Sequence, residues 1–199
     1  MSEENKKYEL LQDDTVTTPS GETLYRIKAL VAIGLLVSPG ELGGYVESTQ
    51  NLDIYGNAWV AGNAWVSGNA RVFGNARVYG DAWVFGNAWV FGNARVYGDA
   101  RVYGDAWVFG NARVYGDAWV FGNAWVFGNA RVSGNARVYG DAWVFGNARV
   151  YGDAWVFGNA WVFGNARVSG NARVFGNARM FLRNTGTIPG GGKRKTWPK

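Results

Sequence analysis

Cysteine and histidine are both absent from this chain of 199 residues. Without cysteine there are no disulfides and no thiolate metal sites, which fits a reducing compartment. Without histidine the commonest general base and metal ligand is gone, so neither a metal nor a cofactor is expected. Long hydrophobic runs are missing as well. The longest, Ala29 to Val37, falls far short of the ~20 residues that span a bilayer. The N-terminus is acidic and polar and has no secretory apolar region. A cytoplasmic protein without a membrane span is expected, with a virion component as the open alternative.

Glycine and tryptophan are abundant instead, with 30 and 11 residues. Both follow from one stretch, Gly56 to Phe181, which reads Gly-(Asn/Asp)-Ala-(Arg/Trp)-Val-(Phe/Tyr/Ser/Ala) in 21 consecutive hexads. Only Met180 departs from Val at the fifth position. Strand side chains alternate sides, so Ala and Val point to one side and the Arg/Trp and ring positions to the other. Gly with Asn or Asp forms the corner, since both tolerate the left-handed backbone of a sharp turn. Three hexads make an 18-residue coil, and an 18-residue recurrence is visible in the outward residues. Seven coils stacked at roughly 4.8 Å give a prism about 34 Å long.

An aliphatic residue at every sixth position, with a small residue two before it, resembles the hexapeptide-repeat left-handed parallel β-helix, the fold of many bacterial acyltransferases. The left hand comes from that resemblance alone. The opening T-L-Y-R-I-K-A-L followed by G-E-L-G-G-Y-V-E-S resembles uncharacterised bacterial and prophage-encoded hexapeptide-repeat proteins, which brings no activity. The expected fold is thus all-β, a triangular β-solenoid. Residues 1–55 form a capping segment, 56–181 the solenoid, and 182–199 a cap remnant with a flexible basic tail.

Within the cap, Tyr8 to Leu11 and Leu24 to Leu30 read as strands, Asp13 to Gly21 as turn, and residues 1–7 as frayed. Ala29 to Val37 fits a buried strand or a short helix equally. Gly43-Gly44 allows close packing on the first coil. Leu52 falls on an Ala position of the hexad and Ile54 on a Val position, a larger pair that would plug the open end. A cap also covers strand edges that would otherwise pair with another chain.

Sorting outward residues by every third hexad separates three faces. One carries Trp59 and then Arg77, Arg95, Arg113, Arg131, Arg149 and Arg167. A second mixes Trp65, Trp83, Arg101, Trp119, Arg137, Trp155 and Arg173. The third has Trp89, Trp107, Trp125, Trp143 and Trp161 between Arg71 and Arg179, with a phenylalanine companion on every rung, among them Phe91, Phe109, Phe127, Phe145 and Phe163. Such a wall amounts to about 600 Å² of aromatic surface, at the upper limit for an ordinary monomer. It reads as a subunit contact, a ligand platform, or a ladder that only stabilises itself.

Every internal Arg-Val-Tyr is followed by Gly-Asp, whereas Phe and Ser are followed by Gly-Asn. Two arginines about 5 Å apart repel by roughly 1 kcal/mol in water. A corner Asp beside each Arg, with Tyr offering its ring, suggests a self-neutralising ladder; a strip that reads phosphate or sugar is the alternative. Arg131 and Arg167 lack the corner Asp and are the first candidates for an anion.

Acyl transfer, which the fold resemblance implies, has no histidine to carry it. The stacked Asp81, Asp99 and Asp117 approach the spacing of a retaining glycosidase pair, but the pattern recurs at another corner, and a unique site should break the repeat. One carboxylate per coil is a weak cation ligand set. Net charge is −5 over residues 1–55, +5 over 56–181 and +5 over 182–199. The tail cations Lys193, Arg194 and Lys195 suit solubility, nucleic acid, anionic lipid or the acidic cap of a second molecule. Two functions are therefore expected. The first is a non-catalytic, self-associating structural solenoid whose partner is itself. The second is a prophage-type module that binds carbohydrate or nucleotide ligands on its Trp/Phe and Arg/Tyr ladders, with contact to nucleic acid left open.

Overall fold

A computed structural model of the chain describes residues 5–182 and 187–188. Three parallel sheets wrap a single core, and successive members of each sheet lie three hexads apart in sequence. Pairing is in register: Val78 lies against Val96 and Val96 against Val114, and the other two faces repeat this with Val84, Val102 and Val120 and with Val90, Val108 and Val126. Alanine and valine of each complete hexad from Ala58 to Ala166 are fully buried. The core is therefore the same two layers at every level, with no polar side chain to satisfy. Corner glycines make it possible. Gly92 has φ +70°, and a Cβ there would lie 3.0 Å from the amide nitrogen of Gly110 one coil on.

Two antiparallel strands, β1 (Tyr8–Thr17) and β2 (Thr23–Ala29), extend the mixed face at its start, and β3 (Leu42–Val46) joins them to the first regular rung. Strand β1 runs through Asp13 to Thr17, where turn composition suggested a loop; a register shift between Leu11 and Thr15 absorbs the irregularity. The apolar run Ala29 to Val37 is neither a long strand nor a helix. Ile33 bridges to Val37 across a tight turn at Gly34, which buries Ile33 and Val37 and leaves Leu35 and Leu36 exposed. Gly43 and Gly44 are placed as their sequence suggested. A Cβ on Gly44 would come within 2.5 Å of the Ala64 carbonyl oxygen.

The phase of the first coil differs from the sequence reading. Val46 pairs with Val66, and Leu52 bridges to Val72, so both sit 20 residues before their partners rather than 18. Leu52 thus occupies a valine position, not an alanine position, and is completely buried, while Ile54 only leans on the core. The two extra residues lie in the corner after Leu52. The same 20-residue step recurs at the other end, where Thr187–Ile188 pairs with Arg167–Val168. Each face thereby gains an eighth rung beyond its seven hexads. The tail cations Lys193, Arg194 and Lys195 lie outside the described residues.

That enlarged corner is held by the chain start, which is not frayed at Lys7. The Lys7 ammonium, 5% exposed, donates to the carbonyl oxygens of Asp53 (2.8 Å), Tyr55 (3.2 Å) and Ala58 (2.8 Å). Burial drives its pKa down to about 8, against the pull of the Asp53 charge. Beside it the Tyr8 hydroxyl donates to Leu52 O at 2.7 Å, and burial, reinforced by Asp53, holds that phenol well above its ordinary value. Removing a partner from buried carbonyls costs about 1–3 kcal/mol per group. Lys7→Ala is therefore expected to lower the stability of the cap by about 2–3 kcal/mol and to release hydrogen-exchange protection in β1, β3 and residues 51–60 before the coils beyond. Unchanged protection there would contradict the role given to Lys7.

Candidate functional site

The three outward faces are where the sequence places them, and each handles its stacked side chains differently. On the aromatic face the indoles of Trp89, Trp107, Trp125, Trp143 and Trp161 form one continuous stack with centroids 4.9–5.1 Å apart and planes within 3°. The phenylalanines from Phe73 to Phe163 form a second stack at 4.7–5.1 Å. Indole edges meet phenyl rings across the two rows, as in Phe91–Trp107 at 5.9 Å and 78°. Phe91, Phe109, Phe127 and Phe145 and the five tryptophans are all half-buried. Ring faces are used up inside the stacks, so the wall presents a row of edges to water.

The mixed face is not simply mixed. Arg101 lies over Trp83 and Trp119 at 4.9 and 5.1 Å, and Arg137 over Trp119 and Trp155 at 4.9 and 5.1 Å. Arg173 continues the series on Trp155 at 4.6 Å, and Arg179 covers the last indole of the aromatic face, Trp161, at 4.5 Å. A guanidinium between two indoles gains cation–π attraction on both sides and is separated from the next guanidinium by two coil steps. The sequence reading gave tyrosine this role. The signal it missed was the alternation of Trp and Arg along this one face.

The arginine face has neither solution. Among the described residues the ion pairs are Arg26–Asp14 and Lys28–Glu9, both in the cap, and the six ladder arginines have no aromatic partner. The corner aspartates do not neutralise them, which corrects the self-neutralising ladder. Four of the six serve the corner columns as acceptors instead, while Asp99 and Asp117 each follow another aspartate. Asn63 donates to Asp81 (3.2 Å), Asn87 to Asp105 (2.9 Å), Asn123 to Asp141 (3.0 Å) and Asn135 to Asp153 (2.9 Å). An all-asparagine column runs from Asn57 through Asn147 to Asn165 with 3.1–3.3 Å steps. An aspartate therefore replaces an asparagine as acceptor in a corner ladder. Its charge acts on the guanidinium row only at longer range.

Arginine does influence its tyrosine neighbours. Burial, with Tyr79 and Tyr115 adding to it, raises the Tyr97 pKa, while Arg113 and Arg131 lower it. At the top of this face Trp59 is 1% exposed and packs edge-on to Tyr8 at 6.4 Å, so it belongs to the cap and not to the ladder. Leu36, Trp59, Arg77 and Arg95 line a cleft of about 270 Å³. No group of acidic side chains among the described residues is arranged to hold a metal ion, and Asp81, Asp99 and Asp117 remain a single column. No helix among those residues is long and apolar enough to cross a membrane.

The family whose model matches is the YdcK β-solenoid repeat. The matched segments are residues 54–68, 64–78, 70–86, 94–110, 106–122, 130–146, 142–158 and 166–180, together just over half of the chain. Among curated proteins, none matches the chain.

The contrast between two arginines on neighbouring faces is measurable. Arg137→Gln removes two indole contacts and is expected to cost about 1–2 kcal/mol. Arg131→Gln relieves repulsion in a row of like charges and should be neutral or slightly stabilising. Urea midpoints of the two variants against the parent check this, and equal losses would overturn the assignment of the two faces.

Proposed function

The chain belongs to the YdcK β-solenoid repeat family, and we propose that it serves as a non-catalytic structural scaffold that self-associates through its aromatic face. The single observation that carries this reading is the unbroken pair of aromatic stacks, with five indoles and their phenyl companions in line and no charged side chain among them from Trp89 to Trp161. Ring edges lined up over five coils are regular and self-complementary. A second copy of this chain carries the matching surface, and aromatic side chains are favoured at the centre of protein contacts. If the two copies meet by a two-fold axis, the contact closes into a dimer; a staggered contact continues as a fibre. The half-burial of the rings keeps the area modest, which favours association at micromolar rather than nanomolar concentration.

A ligand module in which sugars or bases stack on the wall itself has less support, since each interior ring already has a neighbour on both faces. Catalysis has little to work with, as histidine and cysteine are absent and four of the six corner carboxylates are acceptors in repeated hydrogen-bonded columns.

Sedimentation velocity at tens of micromolar tests the reading. The parent is expected to sediment as a dimer or larger, and Trp107→Ser, Trp125→Ser and Trp143→Ser combined to sediment as a monomer with unchanged far-ultraviolet circular dichroism. A parent that is strictly monomeric, or a triple variant that assembles equally well, would refute it.

A further inference from the structure

The outward position after each valine carries a ring on nearly every rung. On the mixed face the column runs unbroken from Phe85 to Phe175 with centroids 4.8–5.3 Å apart. The aromatic face has phenylalanine throughout. On the arginine face the column reads Ala61, Tyr79, Tyr97, Tyr115, Ser133, Tyr151 and Ser169. Tyr79, Tyr97 and Tyr115 stack at 4.8 and 5.0 Å. Then a rung is missing: Ser133 is the one place in the three columns where a ring is absent with rings on both sides.

The backbone does not close the gap. Arg113 pairs with Arg131 and Arg131 with Arg149 in unbroken register, and Ser133 N donates to Val150 O at 2.9 Å. Tyr115 and Tyr151 therefore stand two coil steps apart, about 9.6 Å. A planar ring placed between them would be one step from each, the separation the tyrosines already keep among themselves. Among the described residues the Ser133 hydroxyl makes no hydrogen bond, and Tyr151 touches no other ring. Beside the gap stand Arg113, Arg131 and Arg149, without an ion pair or an indole. The corner after Ser133 is Asn135, which donates to Asp153 at 2.9 Å, so the acid that follows each tyrosine rung is missing at this level.

We propose that this gap is a nucleotide-binding slot. The base stacks between Tyr115 and Tyr151, its edge reaches the Ser133 hydroxyl, and the phosphates lie on Arg113, Arg131 and Arg149. Base–aromatic stacking beside a guanidinium track is the combination that holds nucleotides, free or within a single strand. The slot lies on a different face from the aromatic wall, so its occupancy and the proposed self-association can be tested separately.

Calorimetric titration of the full chain with ATP, tripolyphosphate, adenosine and a short oligothymidylate tests this. ATP or the oligonucleotide is expected to bind, and whichever saturates first identifies a free nucleotide or a strand as the source. Ser133→Tyr supplies the missing rung, keeps the fold, and should weaken that binding more than about tenfold. Arg131→Gln should weaken it by about tenfold. Tyr151→Ala removes one wall without disturbing any other ring and should act like Ser133→Tyr. Retained affinity in both Ser133→Tyr and Tyr151→Ala would overturn the proposal. So would tripolyphosphate binding as tightly as ATP, or no binding of either nucleotide ligand at millimolar concentration.

Discussion

Parallel, in-register pairing of each coil with the next is the constraint on which everything else in this molecule depends. It places every side chain directly over the residue three hexads away. Inside, that is harmless, because Ala on Ala and Val on Val leave no polar atom without a partner and no gap to fill. Outside, the same geometry forces like onto like at a spacing of about 4.8 Å, and the chemistry of the surface follows from how each residue type tolerates its own copy. Aromatic rings gain from it, and so do the asparagine amides, which donate to one neighbour and accept from the other. Guanidinium groups lose.

The chain relieves that loss in two ways and leaves it in one place. On the mixed face the arginines are interleaved with indoles, which turns a repulsive row into an alternating stack. In the corner columns Asp81, Asp105, Asp141 and Asp153 accept from an asparagine one coil before, and all six corner aspartates add negative charge near the arginines without an ion pair. On the arginine face six guanidinium groups remain in line without either device. Repulsion between them is offset by the pairing of the strands that carry them, so this face stores unfavourable charge that an anion would relieve.

Much of this was legible in the sequence, because a strict repeat converts position directly into orientation. The hexad gives the strand, the corner and the inward pair, and sorting by threes gives the three faces with every residue on the face where it is found. What was not legible lies where the repeat starts. Leu52 reads as an alanine position because hexad counting runs straight through the corner after it, and nothing in residues 53–57 signals two extra residues. Lys7 and Trp59 were misread for a related reason: composition marks one as a solvated lysine and the other as the first rung of a ladder. Only the assembled cap shows that the enlarged corner leaves three carbonyl groups for Lys7 and an apolar niche for Trp59 beneath Tyr8. Partner choice was misjudged as well. Arg-Val-Tyr-Gly-Asp is contiguous in sequence and suggests a local pairing, yet the decisive neighbours are those 18 residues away.

In a repeat of this regularity, departures carry more information about use than the repeat itself. A ring lost from the end of a column changes nothing, since the end of a stack has one free face in any case. A ring lost from the middle creates two facing aromatic surfaces whose distance the surrounding strands fix. The paired backbone on both sides holds the two residues that carry those rings two coil steps apart. The cost is the stacking contribution of one rung, about 0.5–1.5 kcal/mol, and the scaffold tolerates it because the other rungs hold the register. An element that gives up favourable stacking at a single interior position, at the level where the corner acid is absent and the row of arginines stands without partners, is preorganised for a planar anion. The uniform coils beneath it act as the rigid frame that such a site requires.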